Sequence, residues 1–359
     1  MINGSLTLDN NAADFTDFIV KGITLAEATW DADSDSIQYY RIGPVTMAVR
    51  FAGNSLIDVI DPALQHTRLD HAPEDITATI YALDAKASGI KSPPDEWPFP
   101  VDSTEHFQRV HWNPADGMAL ASDETRGIWN LYDMRTHTGV YWVRNGKELP
   151  SWEAGAPLRI LINWLAFQQD IQLVHAAGLS FNGHGILLTG AGGSGKSTTT
   201  AAAIQSGWGT AGDDFILVKG IDSPVGHCIY DTIKLTGMAL KALPDLARRA
   251  VNPLRTVDDK ARIHLQQVYP SQLIPELPIS AIFSIAISHE KTTEIYPVTR
   301  ADIMKALAPS TLFMLRTGMK ESFTKLSALV KHLPCYHIRL GENPFEAIET
   351  LELFLKQFQ

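Results

Sequence analysis

The chain has 359 residues, 45% of them hydrophobic and 19% charged, an ordinary globular composition that excludes a disordered or fibrous protein. A formal net charge of −10 argues against a nucleic-acid partner, which needs a basic face to neutralise phosphates. The two cysteines, Cys228 and Cys335, stand outside any CxxC pattern and read as buried thiols of a reducing compartment.

In chain order, residues 15–87 read mainly as strands. Residues 37–42 and 45–51 flank a Gly43-Pro44 turn, 56–60 is a third short apolar run, and 75–83 alternates apolar and polar side chains. Several strands at short spacing predict an antiparallel module. Pro93, Pro94, Pro98 and Pro100 make 88–104 a long exposed loop. Strands resume at 106–112, 127–132 and 139–143. His106 and His111 point to opposite faces of their strand and read as ordinary sheet residues.

Leu158, Leu161, Ile162 and Leu165 follow the spacing of an amphipathic helix. Further strands are expected at 173–179, 215–218, 261–265, 279–287, 293–298 and 336–340, with helices from a Thr299 cap, at 322–332 and at 344–358. The expected fold class is α/β, with a β-rich module over 1–150 and a nucleotide-binding domain with a mixed sheet over 151–359. Neither a membrane span nor a signal segment is visible, so a cytoplasmic protein without a membrane partner is expected.

The chemistry concentrates in Gly190-Ala191-Gly192-Gly193-Ser194-Gly195-Lys196-Ser197, followed by Thr198. This stretch matches G-x-x-x-x-G-K-[ST] between a short apolar run, 186–188, and a helix-forming segment. Glycines at such a turn let successive N–H groups face phosphate oxygens. Lys196 would reach the β- and γ-phosphates of ATP or ADP, Ser197 would ligate Mg²⁺, and the helix would offer its positive end to the same anion.

Two adjacent carboxylates, Asp213 and Asp214, precede the next strand. Asp-Asp alone suits a solvated turn, but beside a phosphate loop one carboxylate can serve the metal and the other can accept a proton from an attacking alcohol.

Val174-His175-Ala176-Ala177-Gly178, the loop itself and Ala211-Gly212-Asp213-Asp214 together resemble the HPr kinase/phosphorylase catalytic domain, which is also similar to the core of phosphoenolpyruvate carboxykinase. The resemblance implies Asp213 as the base, Asp214 at the metal and His175 beside them. Lys260 and Arg262 resemble a basic pair of a divergent group of that family and would steady transferring phosphate charge. Some of that group phosphorylate a serine on lasso-peptide precursors, or small hydroxylated molecules. The run 230–237 and the N-terminal half depart from the family pattern, which argues against HPr as the acceptor. The expected function is therefore an ATP- and Mg²⁺-dependent kinase acting on a hydroxyl of a peptide, a protein or a small molecule. A non-catalytic nucleotide sensor and a carboxykinase-like enzyme are the alternatives, and a homo-oligomer stays open.

Overall fold

The computed structural model describes residues 15–32, 36–99, 109–252, 254, 259–288 and 290–358. It is an α/β protein with two large sheets. The strands of the first are β1 (Ser36–Ile42), β2 (Val45–Ala52), β3 (Arg68–Leu69), β4 (Ala78–Asp84), β5 (Arg109–Asn113), β6 (Met118–Asp123), β7 (Ile128–Asp133) and β8 (Thr138–Val143). Their spatial order is β3-β1-β2-β4-β8-β7-β6-β5.

This sheet is mixed, and not antiparallel as the spacing predicts, because β2–β4 and β4–β8 pair in parallel. The reason lies in residues 56–60, expected as a strand. They open the helix Ile57–Leu64, whose Ile60, Ala63 and Leu64 turn to one side and are buried. That helix supplies the crossover that parallel neighbours need.

A second helix escapes the strand reading, Phe15–Thr29, with Phe18, Ile19, Gly22 and Ala26 on its buried stripe. It covers one face of the sheet, against Trp129, Leu131 and Trp142. Because the sheet is covered on both sides, β7 is buried along its whole length and loses the alternation of a half-exposed strand. Within the proline-rich segment, Ser88 closes the short helix Ala85–Ser88, and 89–99 is without regular structure but is not exposed throughout. Phe99 is buried against Phe15, and Trp129 Nε1 donates to the Pro94 carbonyl. Residues 100–104, and the expected strand start at 106–108 with His106, lie outside the described residues.

The second sheet takes β9 (Gln172–Val174), β10 (Ala177–Phe181), β11 (His184–Thr189), β12 (Gly209–Gly212), β13 (Ile216–Lys219) and β14 (Val225–Cys228). It is completed, after the hairpin β15 (Thr232–Thr236) and β16 (Lys260–His264), by β17 (Glu276–Ile287), β18 (Glu294–Pro297) and β19 (Cys335–Leu340). The order runs β12-β10-β11-β17-β14-β13-β9, with β19 and β18 beside the far half of β17. The long β17 therefore lies between β11 on one side and two separate partners, β14 and β19, on the other.

The helix Arg159–Gln168 joins the two sheets. Residues 160–166 are all buried, not only its expected face. It shares one continuous core with Tyr132 and Tyr141 of the first sheet, Leu173 and Leu217 of the second, and Phe215 just ahead of β13. Each such large apolar side chain contributes roughly 1.5–3 kcal/mol by leaving water. The Thr299 cap is present as a full capping box with Asp302.

Candidate functional site

β11 leaves the sheet at Thr189 and the chain re-enters regular structure as the helix Lys196–Gln205. The loop between them folds over its own lysine. Lys196 Nζ donates to the Gly190 carbonyl at 2.7 Å and to the Ala191 carbonyl at 3.4 Å. Burial lowers its pKa from the usual lysine range, opposed by Asp214 and Asp213 and assisted by Lys260. Lys260 is thus close enough for its charge to be felt at the loop.

Gly195 sits at φ +101°, just ahead of the helix, and no side chain caps that helix. The N–H groups of its first turn have no intrahelical acceptors. Ser194 Oγ is also buried without a hydrogen-bond partner. The loop therefore carries unspent donors around a lysine.

The carboxylate pair sits where the second sheet changes partners. Gly212 pairs with Gly178 on one side of the break, and Ile216 pairs with Val174 on the other. Both neighbouring chains cross between the same two pairings, one through His175-Ala176 and the other through Asp213-Asp214. This shared crossover brings His175 to Asp214 although they are far apart in sequence. His175 Nε2 lies 2.9 Å from Asp214 Oδ1 and donates, since an ionised carboxylate only accepts. The His175 backbone N–H is held by Thr311 Oγ1 at 3.1 Å.

The two aspartates are in opposite states. Burial raises Asp213 to about 6, with the Asp214 charge adding, and bonds from Ser197 and Lys234 opposing. Asp214 is only part-buried, and although burial pulls upward, the Lys234 ammonium and His175 hold it well below the usual carboxylate range. Lys234 Nζ lies 2.5 Å from Asp214 Oδ2. The nearby Ser197 hydroxyl lowers the Asp213 pKa, Asp213 Oδ2 accepts at 3.4 Å from the Lys234 backbone N–H, and its Oδ1 is buried with no partner. One carboxylate is thus fixed as an anion, and its neighbour keeps an unused oxygen and titrates near neutrality.

Lys234, paired with Asp214, is the residue of this cluster that sequence reasoning missed. It arrives on β15, directly opposite Arg262 of β16. Like charges facing each other across a hairpin are unfavourable, and that placement was a readable signal once the hairpin was known. The structure brings together Lys196, Ser197, Asp213, Asp214 and His175. Lys260 and Arg262 share one face of β16 (period two) beside them.

Oxygen donors for a hard cation are present in the Ser197 hydroxyl, the unpartnered Asp213 Oδ1 and the remaining lone pairs of Asp214. Among the described residues, no group of three or more His, Cys, Asp or Glu side chains could hold a metal. No described helix is long and apolar enough to cross a membrane.

Comparison with protein-family models and with curated proteins returns no match. Among solved structures, the chain is similar to the Hpr(Ser) kinase/phosphatase from Coxiella burnetii, at 16% identity and a TM-score of 0.30, over 52% of this chain and 99% of that one.

Proposed function

We propose that the chain is an ATP- and Mg²⁺-dependent kinase that transfers a phosphoryl group to a hydroxyl acceptor, with a peptide or protein serine as the leading candidate. The observation that carries this reading is the split aspartate pair. Asp213 has a free oxygen and a pKa near 6, the state wanted in a group that takes a proton from an alcohol near neutral pH. Asp214, held ionised by Lys234 and His175, supplies the fixed negative charge.

In this reading Gly190 to Thr198 cradle the phosphates. Ser197 holds Mg²⁺, helped by Asp214 through its remaining lone pairs or a bridging water. The ion would neutralise phosphate charge. Lys196 exchanges its loop carbonyls for phosphate oxygens, with Lys260 and Arg262 adding positive charge around the transferring group. Residues 151–359 form the catalytic domain, and 1–150 a module that shares its core.

Transfer from labelled ATP to serine peptides and to small alcohols tests the proposal. Label in an acceptor, lost in Asp213→Asn protein that still binds the nucleotide, is the expected result. ATP binding without transfer to any hydroxyl would favour a nucleotide sensor.

A further inference from the structure

Beyond the phosphate loop, on the far side of His175 and Phe215, lies a cation that this chemistry has not used. Arg159 is the first residue of the helix Arg159–Gln168. Its guanidinium carbon stands 5.2 Å from the Phe215 ring centroid and 5.8 Å from that of Trp152. Phe215 lies 5.1 Å from the His175 ring, which holds Asp214. Arg159 Nε is buried without a hydrogen-bond partner. Among the described residues no carboxylate stands within ion-pair distance of Arg159, although the buried Glu153, bonded to Tyr141, feels its charge from farther off.

Three features make this placement costly in the free protein. A cation at a helix start opposes the helix dipole. The residue before it, Leu158, is fully buried at φ +58°, a left-handed conformation that a leucine avoids. Arg262, whose Cδ would lie 3.5 Å from a Cβ placed at Gly155, adds a second buried and unpartnered guanidinium nitrogen near the same segment. Strain of this kind collects where a ligand is clamped. What the Arg159 guanidinium lacks is an oxyanion at contact distance.

We propose that Arg159, walled by Trp152 and Phe215, binds an oxyanion of the acceptor, a carboxylate or a phosphate set near the hydroxyl that is phosphorylated. Naming the ligand as the acceptor rests on the kinase reading; the anion site itself does not. The planar guanidinium offers a two-point fork to either group. Arg159 is then a specificity residue: it selects hydroxyl compounds with a fixed negative charge and orients them on Asp213.

Calorimetric titration tests this. Inorganic phosphate and, separately, succinate are titrated into protein saturated with Mg²⁺ and a non-hydrolysable ATP analogue, so that the phosphate loop is filled. One of the two anions is expected to bind at millimolar concentration or tighter, and which one identifies the group. Arg159→Gln should weaken it at least tenfold and leave analogue affinity within twofold. If that variant fails to fold, Arg159→Lys, which keeps charge but loses the fork, should weaken the anion at least threefold. Binding of neither anion, or equal binding by wild type and variant, would overturn the proposal. Failure of the analogue to bind overturns the kinase reading alone, because the same titrations then run on the free protein.

Discussion

The Lys234 ammonium and the Asp214 carboxylate, 2.5 Å apart, tie the hairpin β15–β16 to the crossover of the main sheet. The lysine side chain is only 9% exposed and that of Asp214 25%, so removing the lysine leaves a part-buried carboxylate with His175 as its remaining partner. Breaking one side of a fully buried pair costs about 3 kcal/mol, and water reaching Asp214 reduces this to about 2 kcal/mol. Lys234→Met should lose about that much in urea unfolding at pH 7.5. Lys234 also lowers the Asp213 pKa. The acid limb of the transfer reaction should therefore move to higher pH in the same variant. A stability loss with an unmoved limb would show that Lys234 does not act on Asp213.

Asp213 makes the opposite contribution. Its pKa rises from 3.8 to about 6 on folding, so the folded state binds the proton more tightly. The resulting stabilisation is complete below pH 3.8 and is lost as pH rises through about 6. At pH 7.5 the buried ionised carboxylate costs on the order of 2–3 kcal/mol. Asp213→Asn should raise the unfolding free energy at pH 7.5, lose that advantage near pH 4, and cut transfer by roughly 10²–10⁴-fold. Such a gain in stability with loss of activity is the mark of a functional carboxylate. A variant both inactive and destabilised at pH 7.5 would indicate a structural role.

The pH profile follows from the same pair. With Asp213 as base, kcat/KM should fall about tenfold per pH unit below a midpoint near 6 and level off above it. Lys196, lowered by burial, should set an alkaline limb below the ordinary lysine range. Asp214 lies well below the usual carboxylate range, so no further acid step is expected between pH 4 and 6. A midpoint near 4, the ordinary aspartate value, would remove Asp213 from the proton transfer.

The loop, the Asp pair and the helix spacing at 158–165 were legible because each depends on local residue pattern. Lys234 was not, since its role comes from a hairpin whose pairing with Arg262 is set by tertiary contact. The meeting of His175 with Asp214 is equally non-local. Residues 56–60 misled for a different reason: a short apolar run buried on one side fits a strand or a helix turn alike. Phe18, Ile19, Gly22 and Ala26 did carry helical spacing, but the strand-rich stretch after them dominated the reading.

The two inner loop glycines separate strain from contact. Gly193 sits at φ +80° with open space where a Cβ would stand, whereas Gly195 sits at φ +101° with Leu340 Cδ1 at 2.5 Å from that position. Both conformations disfavour a side chain, at about 1 kcal/mol. Gly193→Ala should lose about that amount. Gly195→Ala must also displace Leu340 from the core it shares with Ile285 and Ile338, for a total of about 2 kcal/mol. Because Gly195 directly precedes Lys196, the shift should also misplace the ammonium and weaken nucleotide binding at least tenfold. Urea unfolding and nucleotide titration of the two variants side by side provide the check. Equal losses in both would mean that Leu340 yields freely, and that the left-handed backbone alone makes glycine necessary at this point of the loop.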